Sequence, residues 1–180
     1  MSDKNAIVAV YDTHAEAEYA VKELQRAGFE MTKLSIVGKE YHSEQNIIGY
    51  YNAGDRMKSW GKRGAFWGGL WGLLSGSAFF VLPGMGPVAI AGPLAAWVVG
   101  AMEGAAVVGG VSAIGAGLYS LGIPKNSIIK YDSALKADKF LLVAHGTAPE
   151  VMSTKEILEL SEPDALATHL SEEPGALSAA

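Results

Sequence analysis

The groups in this chain that are able to do chemistry are few and far apart. His14, His42, His145 and His169 are scattered, and none has metal-ligand spacing to another histidine or an acid. His42 and Glu44 are near neighbours in a polar stretch and read as solvated loop groups, while His145 ends a strand-like run and reads as a capping or solvent-facing residue. Cysteine is absent, which removes thiolate and disulfide chemistry and leaves the compartment open. No serine sits in a nucleophile-elbow context, and no phosphate loop is present. Gly84, Gly86 and Ala89 fit a loose GxGxxA spacing, but no strand is expected before them. Glu103 stands out, as the only ionisable acid or base among the 61 residues from Gly64 to Pro124. A carboxylate in such a setting is costly, and it is a candidate proton or ligand contact inside a helical bundle. Against that stands a plainer role near a headgroup or as a protonated side chain. No enzyme, cofactor or metal is expected.

The elements that would position these groups fall into two halves around an insertion. Asn5–Tyr11 (NAIVAVY) is a short β-branched run suited to a buried strand. Thr13 and Glu16 fit a capping box, and Ala17, Ala20, Val21 and Leu24 follow the helical period up to Ala27. Gly28 then ends the helix, and Lys33–Lys39 (KLSIVGK) reads as a second strand, expected to lie parallel to the first. Lys125–Leu135 reads as a helix and Lys139–His145 as a strand. Thr147 with Glu150 repeats the capping-box spacing before a helix ending near Ser161, and Asp164–Leu170 is a weak fourth strand. The expected organisation is residues 1–58 as the first half of a split ferredoxin-like α+β domain with its loop, 59–124 as the insertion, 125–170 as the second half, and 171–180 as a disordered tail.

Fifteen of the 22 glycines lie between Gly64 and Pro124. Gly64, Gly68, Gly72 and Gly76 recur every fourth residue, which places them on one helix face and opens a smooth groove for a second helix. A second small-residue row is Ala101, Ala105, Gly109, Ala113 and Gly117. Gly64–Leu82 would span about 28 Å as a helix, near the roughly 30 Å of a hydrocarbon core. Leu94–Leu121 would reach roughly 42 Å if continuous, needing tilt or a kink, and Pro83–Pro87 forms the turn between the two. Arg56, Lys58, Lys62 and Arg63 precede the pair and Lys125 and Lys130 follow it, so a membrane hairpin would leave both termini in the cytoplasm. The alternative is that the glycine-rich helices form the buried core of a soluble oligomer.

The opening IVAVYDTHAEAEYAVKELQRAGF with KLSIVGK, the glycine row, and the segment LYSLGIPKNSIIKYDSALKADKFLLVAHG together resemble bacterial heat-induced or general stress proteins. The resemblance covers roughly Ala6 to Ser161. It implies a ferredoxin-like domain interrupted by a glycine-zipper segment, and it carries over no catalytic residues.

These readings converge on a non-enzymatic, membrane-associated stress-type protein that self-assembles through glycine-zipper helices and presents a cytoplasmic docking domain to a protein partner. Membrane lipid and further copies of the chain are the expected partners. A net charge of −5 and a pI near 5.3 argue against nucleic acid. Two alternatives compete with this reading. One is an oligomeric scaffold or tether for a redox enzyme, enclosing an apolar chamber for a quinone or lipid. The other is a soluble small-ligand sensor, for which no polar pocket is evident in the sequence.

Overall fold

The computed structural model describes residues 5–39, 77–82, 85–103 and 112–170. β1 (Asn5–Tyr11) is buried at every position, as the apolar run that follows Asn5 requires. Thr13 caps α1 (His14–Arg26): its hydroxyl accepts from the Glu16 N–H at 3.3 Å, while the Glu16 carboxylate accepts from the Thr13 N–H at 3.1 Å. Ala17, Ala20, Val21 and Leu24 form the buried stripe of that helix, and Gly28, at φ +80°, turns the chain out of it. A single 3₁₀ turn, Met31–Lys33, leads into β2 (Leu34–Lys39). The second half follows the expected order: α4 (Lys125–Lys136), β5 (Phe140–Gly146), α5 (Ala148–Glu159) and β6 (Ala165–His169).

Between these halves the chain departs from the expected helical hairpin. Ser77–Leu82 is a strand, β3, and Gly86–Ala91 is another, β4. Helix α2 (Leu94–Glu103) follows, and α3 (Ala113–Ser120) begins afresh after Ser112, whose extended backbone (φ −61°, ψ 163°) and side-chain cap mark a helix start. Leu94–Leu121 is therefore not one helix. Among the described residues, no helix is long and apolar enough to cross a membrane. With Ser77–Leu82 taken into the sheet, the apolar run left ahead of it is Gly64–Gly76.

The reason lies in hydrogen bonding. β2 has two edges, and β5 occupies one of them. The other would leave a row of N–H and C=O groups unpaired inside an apolar layer, which is expensive. β4 fills it, pairing Ile36 with Ala91 through Lys39 with Val88. The aromatic and β-branched run Phe79–Phe80–Val81 suits a strand, and Gly86, at φ +84°, helps reverse the chain between β3 and β4. Pro87, which has no N–H to give, pairs with Val81 of β3 and lies one residue beyond the β2 ladder.

The six strands run in the order β3-β4-β2-β5-β1-β6, with every neighbouring pair antiparallel. The expected parallel pairing of β1 with β2 is not formed, because β5 lies between them. Likewise β1 lies between β5 and β6.

Alternate residues of the strands feed two separate cores. On one face Ile7, Ala9, Tyr11, Leu34, Ile36, Leu142 and Ala144 pack against α1 and α5. On the other, Ala6, Val8, Val10, Val37, Val88, Ile90, Leu141 and Val143 pack against α2, α3 and α4. The sheet is thus covered on both sides, and the chain between the two halves supplies two of the three helices on the second face.

Two contacts fix α2 to the sheet. The buried hydroxyl of Ser35 on β2 accepts a 3.1 Å hydrogen bond from the Leu94 N–H at the start of α2. Gly92, at φ +105°, lies so close to β2 that a Cβ there would run into the Leu34 carbonyl oxygen and sit 2.7 Å from the Ser35 Cα. Ion pairs tie the loops together: Lys139 bridges Asp12 at 2.7 Å and Asp164 at 2.6 Å, and Lys33 reaches Glu150 at 2.9 Å. Glu150 also accepts from the Thr147 N–H at 2.8 Å and the Thr147 hydroxyl at 2.9 Å, and with Lys33 these bonds hold its carboxyl down to about 2. Gly92→Ala is therefore expected to cost about 3 kcal/mol, from a left-handed backbone and a backbone clash together. Urea unfolding of the two chains measures it, and an unchanged midpoint would refute the close approach of α2 to β2.

Candidate functional site

The strand registers bring together residues that are far apart in the sequence. Ala6 on β1 pairs with His145 on β5 to one side and with His169 on β6 to the other. Directly opposed residues in antiparallel strands point to the same face. His145, Ala6 and His169 therefore form a row across the sheet, on the face covered by α2, α3 and α4. The buried Ala6 lies between the two histidines, whose Cα atoms lie about 10 Å apart by ordinary strand spacing.

Two aromatic residues from the covering helices meet this row. Tyr131 of α4 is buried, and its hydroxyl lies 2.8 Å from Nε2 of His169, with the two rings edge to face at 6.0 Å. Trp97 of α2 lies 5.5 Å from the ring of His145, tilted by 48°. Burial pushes the Tyr131 hydroxyl up to about 12, so it keeps its proton throughout the neutral range. Burial also pulls His169 below its usual value of 6.5, so the imidazole is neutral at pH 7. A neutral imidazole hydrogen-bonded to a protonated phenol forms a polar clasp between a sheet edge and a helix. Among the described residues, no group of three or more histidines, cysteines or acids is placed to hold a metal ion.

The small residues expected to pack helices together fall elsewhere. Gly117 on α3 faces α2 at close range: a Cβ added there would lie 2.8 Å from Val98 Cγ2, 3.3 Å from Leu94 Cδ1 and 3.4 Å from the Val98 backbone nitrogen. Ala113 packs partly buried against the same core, and Ala101 is half-buried on α2. Gly64, Gly68, Gly72, Gly76, Ala105 and Gly109 lie outside the described residues, as do His42 and Glu44. Glu103 is the last residue of α2, and its side chain lies outside the described set. Ser112 accepts from the Gly115 N–H at 3.0 Å and donates to Asp132 Oδ1 at 2.7 Å, joining the start of α3 to α4. His14, in the first turn of α1, lies 6.4 Å from Phe140, away from the imidazole row.

The row of His145, His169, Tyr131 and Trp97 is not evident from sequence spacing. Residues 145 and 169 become neighbours of Ala6 only through the strand order, and no local period encodes that order.

The lowered pKa of His169 gives a pH dependence with a definite sign. As pH falls, the unfolded chain takes up this proton near 6.5, before the folded chain does. Stability tied to His169 is therefore intact above 6.5 and is lost as pH falls through the lower, folded-state value. Denaturant titrations at pH 7.5 and pH 5 are expected to show a larger loss in the parent chain than in His169→Gln. Equal losses would mean that His169 is not held neutral by burial.

No curated protein and no solved structure matches the chain. The family comparison agrees with the sequence resemblance: residues 6–81, from β1 into β3, match the Heat induced stress protein YflT domain.

Proposed function

We propose that the chain is a non-enzymatic stress-type protein that assembles with copies of itself and presents its α+β module as a docking surface. The module is read as a split ferredoxin-like core. The strand order β2-β5-β1-β6, with α1 and α5 on one face, supports that reading. The β3–β4 hairpin and helices α2 and α3 then form an elaboration on the β2 edge and the second face.

The observation that carries the assembly reading is the helix crossing at Gly117. There a small residue lets α3 approach α2 until a single added methyl would meet the Val98 side chain and backbone. Small residues at a helix interface act in this way wherever two helices come into backbone range. The row Gly64, Gly68, Gly72 and Gly76 offers the same kind of surface at regular spacing. The non-enzymatic reading is supported by the roles of the well-placed polar groups. Ser112 caps a helix, Glu150 is committed to Thr147 and Lys33, and His169 is committed to Tyr131.

Sedimentation of the purified chain tests the proposal. The parent is expected to sediment as an oligomer, and Gly68→Leu with Gly72→Leu is expected to reduce its size while preserving the circular dichroism of the folded module. A monomeric parent, or an oligomer unchanged by both leucines, would overturn it.

A further inference from the structure

The two edges of β1 are held unequally. Towards β5 its ladder runs the full seven residues, from Asn5 with Gly146 to Tyr11 with Phe140. Towards β6 it covers five, from Ala6 with His169 to Val10 with Ala165. Every residue of β1 is buried, whereas in β6 Ala165 is exposed and the other four are only half-buried. Its core contact is Leu166, partly buried against α1 and α5. The remaining ties lie at the two ends of β6. At the start, the Asp164 N–H donates to the Val10 carbonyl at 2.9 Å, and the Asp164 carboxylate pairs with Lys139 at 2.6 Å. That ion pair is open to solvent and contributes little. At the far end, His169 meets the Tyr131 hydroxyl.

We propose that β6 is a strap, which parts from β1 as one unit while β1, β2, β4 and β5 stay paired, and so uncovers the outer edge of β1. Backbone groups of a strand point alternately to its two neighbours. Because the Val10 carbonyl faces Asp164, the N–H and C=O groups of Val10, Val8 and Ala6 face β6, and those of Ile7, Ala9 and Tyr11 face β5. Opening β6 frees the first set and leaves the second paired. It also gives up little apolar burial, whereas parting β1 from β5 would open both cores. An element with few buried apolar contacts and ties at its ends opens at a lower free energy than the whole fold. Bare backbone groups along a strand as apolar as β1 would be a template for stray pairing. The closed strap guards that edge, and its two latches, Tyr131 with His169 and Lys139 with Asp164, set how often it opens. The inference requires no contact between copies and stands apart from the assembly reading.

Native-state hydrogen exchange on the full chain, read at single amides and corrected for intrinsic rates, tests it. The amides of Ala165, Ala167 and His169 in β6 and of Ala6, Val8 and Val10 in β1 are expected to share one opening equilibrium. They are expected to be protected about tenfold less, or weaker still, than Ile7, Ala9 and Tyr11. Tyr131→Phe keeps the buried ring and removes the hydroxyl, and is expected to speed exchange of the first set by about fivefold while leaving Ile7, Ala9 and Tyr11 unchanged. Asp164→Asn is expected to do the same by about twofold. Equal protection of the two sets within β1 would overturn the proposal, because β6 would then open only with the whole sheet. So would protection lost residue by residue along β6 while Ala6, Val8 and Val10 stay slow, since that is fraying and not release of a strap. Equal acceleration of both sets by Tyr131→Phe would tie the hydroxyl to the stability of the whole fold and overturn its role as a latch.

Discussion

The pairing of β4 with the outer edge of β2 is the interaction on which the rest of this structure depends. Without it, β2 would end the sheet, and its free backbone groups would need water at the centre of an apolar protein. With it, the uncharged strands β3 and β4 become part of the same sheet. Ser35 then caps α2, and Gly92 allows the helix to start against the backbone of β2. The second core, from Ala6 and Val8 through Ile90 to Ile114 and Leu135, follows from that anchoring.

Covering both faces of the sheet also determines where polar groups can sit. Among the described residues the buried polar ones are few: Asn5, Ser35 and Thr154. Each is bonded to the backbone: Asn5 donates to the Gly146 carbonyl, Ser35 accepts from the Leu94 N–H, and Thr154 donates to the Glu150 carbonyl. Around the rim, ion pairs such as Lys139 with Asp12 and Asp164 are exposed, and each contributes little by itself. They set loop positions, while the apolar layers supply most of the stability. The Tyr131–His169 pair joins these two regimes, since it is half inside the second core and sits at the end of an edge strand.

Much of the outer architecture was legible in the sequence because its signals are local. β1 reads from an unbroken apolar run, α1 from its four-residue stripe and capping box, and α5 from Thr147 and Glu150. The insertion was not legible in the same way. Four-residue glycine spacing and an absence of charge describe a helix in lipid equally well as a mixed segment packed on a sheet. What decided the fate of Ser77–Ala91 was the unfilled edge of β2, some forty residues earlier in the chain. A local pattern carries no information about a vacancy elsewhere. The candidate site was hidden for the same reason: His145 and His169 flank Ala6 only once β5 and β6 have taken their places beside β1.

The functional account follows from this architecture. A sheet covered on both faces offers outside partners its edges and its helical surfaces, and the chain carries small-residue rows suited to close helix contact. The most direct test of the central claim is an assigned nuclear Overhauser spectrum of the full chain. The account predicts cross-strand contacts linking Ile36–Lys39 with Val88–Ala91 in antiparallel register, together with extended-chain sequential contacts through Ser77–Leu82. Helical contacts between residues three apart through Ser77–Ala91, with none to β2, would contradict it and restore the continuous apolar helix.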